Sequence, residues 1–395
     1  METIRTLTPD DLPAAWTLDQ QIFNVDPKQH ETARDSEGAD RFVGAFDGDT
    51  LVAICEFHRF GQFFGGRRVP MGGVSSVAVS PEARGRGLAS RIMAFLIERM
   101  RGEGLPIAAL YPATPALYRS LGFEFAGHWT MYSVPVARLR EVPRPERGRV
   151  RRATPDDLEA VEALRVKLAA ERPGAIDRGD WAVPIYRRRF DDLHAFVSLD
   201  EQGEVDGALF YRHAPLPGTP EDYDLDVREL FAADQASLAA LLWVMASSSS
   251  VAHQARYRGW LDDPAAWLVP ELKPSIFIQM RWMLRLLDVP AALEARGGPR
   301  GLSGRVALRV RDALVDENED EFVLSLDDGE AKVTREAAEH AIELDVGALS
   351  ALYSGHTSCA ALARAGRLEG GDPARDWTIL EAAFAGPAPA MIDDF

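Results

Sequence analysis

Cysteine is scarce in this 395-residue chain. Only Cys55 and Cys359 occur, far apart and with no partner ligands at metal spacing. That leaves no basis for a disulfide framework or a metal centre, and the two thiols fit small core residues in a reducing cytoplasm. Long apolar runs are missing too. None approaches eighteen residues, so no membrane span is expected. The opening METIRTLTPDDLPAAWTL lacks the basic-then-apolar order of a secretory signal, and a cytoplasmic location is the expectation. Basic residues are outnumbered, 44 Lys and Arg against 61 Asp and Glu, for a formal net charge of −17. Such a field repels phosphate backbones and disfavours nucleic acid unless a local basic stripe overrides it. It also concentrates cationic small molecules such as polyamines and amino sugars, although plain solubility accounts for the same charge.

The length allows two or three domains with separate cores, and an internal echo divides the chain. RTLTPDDLPAA (5–15) recurs as RRATPDDLEAV (151–161), each copy following a short extended stretch. Thr8 and Thr154 suit helix N-caps, Pro9 and Pro155 suit a first turn, and the aspartates suit the positive end of the helix dipole. Strand-like TLVAICEFHRF (50–60) and GEVDGALFYRHAP (203–215) follow the two copies, each with a further strand, loop and helix after it. The reading is two copies of one α/β unit, the second degenerate, joined by the Pro- and charge-rich linker EVPRPERGR (141–149). Beyond residue 284, MLRLLDVPAALEARGG predicts an amphipathic helix stopped by glycines. GRVALRVRDALVDENEDEFVLSLDDGEAKVTR then alternates as a strand meander. AIELDVGALSALYSG and TSCAALARAGRL complete an α+β unit with a strand, a helix and a further helix.

The segment richest in chemistry is 74–101. Val74, Val77 and Val79 predict a strand. SPEARGRGLAS leads from it into a helix marked by Leu88, Ile92, Phe95, Leu96 and Met100. A glycine-containing loop at a helix start presents free N–H groups, a ready anion site. Gly85 and Gly87 allow close approach, and Arg84 and Arg86 add charge. An exposed basic turn is the competing reading. There is no Gly-Lys-Ser/Thr and no G-x-G-x-x-G, so neither a triphosphate loop nor a dinucleotide fingerprint is present.

Arg84-x-x-Gly87-x-Ala89 after a strand, with YRSLGF (118–123) about thirty residues on, resembles the GCN5-related N-acetyltransferase superfamily. More narrowly, VSSVAVSPEARGRGL, LYRSLGFEFAG, MLRLLDVPAALEARG and the closing aromatic residue resemble the Eis (enhanced intracellular survival) family over essentially the whole chain. The EARGRG loop departs from relatives that carry a denser arginine run; Gly85 removes one charge but keeps a backbone donor. The resemblance implies an α/β (α+β) fold of tandem acetyltransferase domains followed by a sterol-carrier-like domain. Their ranges are 1–143 (catalytic), 148–284 (degenerate) and 285–395. It implies acetyl-CoA as cosubstrate with no metal, and acceptor amines on cationic small molecules such as aminoglycosides or on protein lysines, met in an open acidic pocket. It also implies a homohexamer. Two other readings stay open, a lipid-binding module using the third domain and a non-catalytic CoA sensor.

The same resemblance assigns roles. Val77, Ala78 and Val79 would meet the pantetheine and thioester arm as an added strand. Arg84, Gly85, Arg86, Gly87, Leu88, Ala89 and Ser90 would hold the pyrophosphate. Ala113 and Thr114 would touch the cofactor arm again, and Tyr118 would be the general acid, where the residues alone read as a half-buried ring beside Leu121 and Phe123. Among nearby base candidates, Asp26, Glu56 and His58 read equally as solvated or strand-surface residues. In the family the base is the C-terminal carboxylate, which maps here onto Phe395, with Asp26 and Asp394 at the substrate end. Composition alone makes MIDDF a frayed acidic tail. The loop LFAADQASL of the second unit has no Arg-x-x-Gly, and Asp234 would repel a pyrophosphate, so that unit is expected to bind no CoA and to act as scaffold.

Overall fold

The computed structural model describes residues 2–23, 38–393 and 395. Asp26 and Asp394 therefore lie outside the described residues. Among those described, no helix is long and apolar enough to cross a membrane.

The first unit runs β1 (Thr3–Thr6), α1 (Leu12–Phe23), β2 (Phe42–Asp47), β3 (Thr50–Phe64), β4 (Arg67–Val79), α2 (Leu88–Gly102), β5 (Ile107–Leu110), α3 (Pro115–Arg119) and β6 (Glu124–Pro135). The second runs β7 (Val150–Arg152), α4 (Leu158–Ala169), β8 (Ile176–Asp177), α5 (Ala182–Arg188), β9 (His194–Leu199), β10 (Val205–Leu216), β11 (Thr219–Ala232), α6 (Gln235–Ala246), β12 (Ala252–Gly259), α7 (Ala265–Leu268) and β13 (Ser275–Leu286). The rest holds α8 (Val289–Ala295), β14 (Gly304–Arg311), β15 (Asp320–Asp327), β16 (Glu330–Arg335), β17 (Ile342–Asp345), α9 (Val346–Tyr353), α10 (Cys359–Arg364), β18 (Leu368–Gly370) and α11 (Thr378–Phe384).

The sequence echo is one helix start built twice. Asp11 accepts from the Thr8 N–H and hydroxyl, both at 2.7 Å, and from the two Arg5 Nη groups at 2.7 and 2.9 Å. Asp157 accepts in the same way from Thr154 and from Arg151, whose Nη groups lie at 2.8 and 2.7 Å. A carboxylate that satisfies helix-start donors and a bidentate guanidinium together locks the angle between strand and helix.

The two units do not close separately. They share a 13-stranded sheet in the order β1-β2-β3-β4-β5-β13-β6-β12-β11-β10-β9-β7, with β8 added on β3. The last strands are exchanged: β13 pairs with β5 through Met283↔Leu110 to Leu286↔Ile107, while β6 pairs with β12 through Gln254↔Pro135 to Gly259↔Thr130. The expected helix over MLRLLDVPAALEARGG is accordingly split. Met283, Leu284 and Leu286 are fully buried in β13, and only Val289–Ala295 is helical. A short apolar run fits either element by pattern, and here neighbours on both sides make it a strand.

The last unit is a five-stranded sheet, β16-β15-β14-β17-β18, with its helices on one core. That core is continuous with the first unit: Phe60, Phe64, Met71 and Ile107 pack with Leu308, Phe322, Leu349 and Tyr353. Arg285 and Asp312, 0% and 1% exposed, clamp the junction at 2.7 and 2.9 Å. Arg285 also donates to Leu121 O, and Asn318 donates to Asp312 at 3.0 Å. A buried pair tied in addition to a backbone carbonyl and to Asn318 holds its partners in one register. It is what lets the last unit aim its end at the first.

Candidate active site

β4 and β5 pair in parallel only from Met71↔Ile107 to Val74↔Leu110, and then part. Ser75–Val79 keep β3 on one side but have no strand partner on the other among the described residues. Opposite Ile54–Glu56 the strand carries one extra residue, and Ser76 there takes φ +50°. Bulges and non-glycine residues at positive φ cost energy and cluster where a backbone group must be aimed. The opening is an edge able to take an extended chain by strand addition, and it contains Val77, Ala78 and Val79.

The expected loop stands at the far end of that edge. Gly85 and Gly87 hold φ +81° and +71°, and a Cβ at either would meet open space, so the backbone needs glycine while the outer face stays clear. Gly87 is the N-cap of α2 and has no side chain to offer. The first bond inside the helix is Arg91 N–H to Gly87 O at 3.2 Å, and no acid stands in the first turn. The N–H groups of Leu88, Ala89 and Ser90 are left for an anion. Arg84 is exposed, with Nε 3.4 Å from Val79 O. Arg86 is tied to Asp47 at 2.9 Å and Glu2 at 3.7 Å, carboxylates with which an incoming phosphate would compete. These features fit a pyrophosphate held mainly by backbone.

Ala113 and Thr114 are exposed just before α3, where Thr114 is the N-cap. Tyr118, one helical turn on, is buried with Cys55, Leu88, Leu121 and Phe123, its ring edge-on to Phe123 at 6.1 Å. Burial, with a smaller push from Cys55, raises its phenol to about 12, so it keeps its proton at neutral pH.

The chain end is not frayed. Phe395 packs its ring against Phe60, His58 and Tyr111 at 5.3, 6.1 and 6.2 Å. A Cβ on Gly73 would come within 2.8 Å of that ring, so this close approach requires glycine one residue before β4 and β5 part. Tyr111 donates to Met391 O and to Asp393 O, the latter at 3.0 Å, and Arg258 donates to Ile392 O at 2.9 Å. Arg178 donates twice to Asp393, through Nε at 2.6 Å and through Nη2, and to Glu229 at 2.8 Å. Asp393 is 6% exposed. Its charge is spent on Arg178 and faces neither the terminal carboxylate nor an incoming cation as a free group.

Glu56 and His58 are likewise no solvated surface pair; they are 5% and 6% exposed. Arg41 lies 3.0 Å from His58 Nδ1 and 3.1 Å from Glu56, and Ser75 Oγ is 3.2 Å from His58 Nε2. A guanidinium only donates, so Nδ1 accepts and Nε2 carries the proton, aimed at Ser75 and at Glu56 3.4 Å away. The imidazole therefore has no free lone pair. Burial first, and the Arg41 charge second, depress its pKa to about 3 from 6.5. Between pH 6.5 and 3 the unfolded chain binds a proton that the folded chain refuses, so stability present above 6.5 is lost as pH falls through this window. The expected result is that wild type loses more denaturant stability between pH 7 and pH 4.5 than His58→Gln does, by on the order of 1–3 kcal/mol. Equal losses would show that His58 is not the group responsible.

The second unit differs at the corresponding loop. Asp234 caps α6 itself, accepting from Ser237 N–H at 2.8 Å, and so fills the place an anion would take. The tail also borders a cavity in the second unit, lined by seven arginines. Tyr111, Ser76, Arg41, Arg178 and Trp181, whose ring stands edge-on to Phe60 at 6.0 Å, carried no signal in the sequence. Each gains its place only from strand register or from a partner far along the chain.

Comparison with known proteins agrees with this geometry. Residues 3–126 and 174–286 each match an acetyltransferase (GNAT) domain model, and residues 289–392 match a sterol carrier protein domain. An N-acetyltransferase of Streptomyces avermitilis is 30% identical over 342 residues, covering 83% of both chains. The N-acetyltransferase Eis of Mycobacterium tuberculosis is 27% identical over 98% of both. Among solved structures, a GCN5-related N-acetyltransferase from Kribbella flavida is 33% identical with a TM-score of 0.88, covering 100% of this chain and 98% of its own. Enzymes of this class take their acetyl group from acetyl-CoA, for which the open edge and the uncapped helix start are suited. Two GNAT domains, the second with its phosphate place closed, and a sterol-carrier-like domain that brings the tail back to the first make this chain an N-acetyltransferase of the Eis-like GCN5-related family.

Proposed function

We propose that the chain transfers acetyl from acetyl-CoA to amines of cationic acceptors such as aminoglycosides, at one or more positions, or to lysine side chains. Residues 1–143 would be catalytic, 148–284 would buttress, and 285–395 would deliver the tail, all in the cytoplasm. The observation that carries this reading is the seat of Phe395 on Gly73, at the mouth of the β4–β5 opening. Acetyl-CoA supplies an activated acetyl thioester. The backbone of Val77–Val79 would align its arm, and Arg84–Ser90 would hold its pyrophosphate, with Ala113 and Thr114 beside the arm. Tyr118 would donate its proton to the departing sulfur. A phenol raised to about 12 is a reluctant donor. The same apolar surroundings raise the basicity of a thiolate, which narrows the mismatch.

His58 has its lone pair occupied and Glu56 is paired with Arg41, which supports the Phe395 carboxylate as the base. Asp26 and Asp394 keep their proposed place at the substrate end, and the net charge of −17 favours cationic acceptors by steering. The test mixes protein and acetyl-CoA with kanamycin, spermidine or a lysine peptide and follows free thiol. No thiol release with any amine sinks the proposal.

We also propose a homohexamer. Ile276, Phe277, Ile278 and Met280, on both faces of the first half of β13, are 40–56% exposed, and the edge of this stretch away from β6 has no strand partner among the described residues. An apolar, open edge of this kind favours burial in an interface. Sedimentation is expected to show a hexamer for wild type and smaller species for Ile278→Asp. A monomeric wild type defeats the proposal.

A further inference from the structure

The second unit keeps the fork of the first and furnishes it differently. β11 and β12 pair in parallel up to Asp226↔Arg256, and opposite Phe210 and Tyr211 the strand β11 carries one extra residue, Arg228. The first unit has the same two features, the parting past Val74 and the bulge at Ser76. Past Asp226 the second fork opens into a cavity of about 770 Å³, walled by Arg228–Phe231 of β11, by Arg258 and Trp260, and by α4 and α5. That volume is of the size that encloses a small organic ligand.

Its charge runs against the rest of the molecule. Seven arginines face three carboxylates, Asp192, Glu229 and Asp393. Arg212 and Arg228 both donate to one outlying carboxylate, Asp226, at 2.8 Å, and Arg165 is held by Glu162. Arginines thus outnumber carboxylates among the described lining residues, in a chain of formal net charge −17. Arg188 and Arg189 are exposed and pair with no carboxylate of the described residues. The dipole of α5 favours cations at that helix end, but it does not account for Arg212, Arg228 and Arg258, which stand on strands. Between the cations lie the rings of Trp181, Tyr186, Phe231 and Trp260. Planar guanidinium forks in a recess suit carboxylate or phosphate, and aromatic walls suit an apolar or flat body.

We infer that this cavity is a binding site for a small organic polyanion, carrying at least two carboxylate or phosphate groups on an apolar or aromatic body. It is separate from the Gly85–Ser90 loop, and the anion is held by side chains because Asp234 closes the helix start of this unit. Ile392 and Asp393 form part of the wall, and Arg178 belongs both to the cavity and to the tail. An occupant therefore touches the segment that ends in Phe395. The inference stands apart from the acceptor and base assignments above, and its binding test needs no turnover.

The test titrates full-length protein calorimetrically with citrate, benzene-1,3,5-tricarboxylate and ADP, each in saturating CoA so that the first-unit loop is filled. At least one is expected to bind, the first two reporting carboxylate and the third phosphate recognition. Affinity is expected to fall about tenfold or more in Arg188→Ala/Arg189→Ala, the loss of roughly one charge-assisted contact or more. CoA affinity should not change. These side chains are exposed, so the variant is expected to fold; Arg212→Ala, read in the same way, serves if it does not. Amide exchange over 390–393 should slow on ligand addition in wild type only. Absence of binding by all three probes, equal binding by wild type and variant, or complete displacement by CoA each overturns the inference.

Discussion

Removal of Phe395 is expected to lower kcat by about 10²- to 10⁴-fold, the span usual for loss of a positioned general base. Affinity for acetyl-CoA should be unchanged, because Val77–Val79 and Gly85–Ser90 are untouched. The deletion also leaves the anchors of the tail in place: Arg178 on Asp393, Tyr111 on Asp393 O and Arg258 on Ile392 O. Two further variants separate the ring from the carboxylate. Phe395→Leu keeps the carboxylate but loses the edge-on packing on Phe60 and His58, so a partial loss is expected. A short C-terminal extension keeps the ring and turns the carboxylate into an amide, so it should match the deletion. An ordinary terminal carboxylate near pKa 3.5 is a weak base for an ammonium. The assignment therefore also requires that burial raise it, or that a water relay the proton. Turnover within about twofold of wild type after deletion would remove Phe395 from the chemistry. Loss of both turnover and CoA affinity would indicate misfolding.

Tyr118→Phe is the second large effect, again about 10²- to 10⁴-fold in kcat for loss of a general acid. The ring would remain among Cys55, Leu121 and Phe123, so thermal stability and CoA affinity should hold. The diagnostic readout is the leaving group. An acyl donor whose thiol has a lower pKa needs less protonation as it departs, so it should recover part of the lost rate in Tyr118→Phe and change wild type little. A variant equally slow with both donors would make Tyr118 a packing residue.

Local features of this fold are legible along the chain because their physics is local. Thr8-Pro9-Asp10-Asp11 and its repeat at Thr154 specify helix starts within one turn, and both form as their residue types dictate. Arg84-x-x-Gly87 carries a loop and an uncapped helix start within a few residues, and Gly85 and Gly87 take the left-handed conformations that only glycine adopts freely. The strand over TLVAICEFHRF is also readable, although it runs on to Phe64. The apolar run MLRLLD fits both periods, and only β5 and β6 on either side decide for a strand over the expected helix.

By itself, then, the sequence determined the two α/β units, the glycine loop with its uncapped helix start, the placement of a tyrosine after it and the absence of such a loop in the second unit. The tertiary structure alone decided that β6 and β13 change places, that Glu56 and His58 are buried and mutually paired, and that a cationic cavity occupies the second fork. It also decided where the chain end goes. Asp393 meets Arg178 across 215 residues, and Tyr111 holds the backbone of Asp393 across 282. Such contacts have no local signature, since each is stable only once the sheet, the Arg285–Asp312 clamp and the shared core have brought the partners together. MIDDF reads as a frayed acidic end in sequence because nothing near it in the chain can hold it. In the fold Met391–Asp393 and the Phe395 ring are held by the first two units, because the third is locked against them.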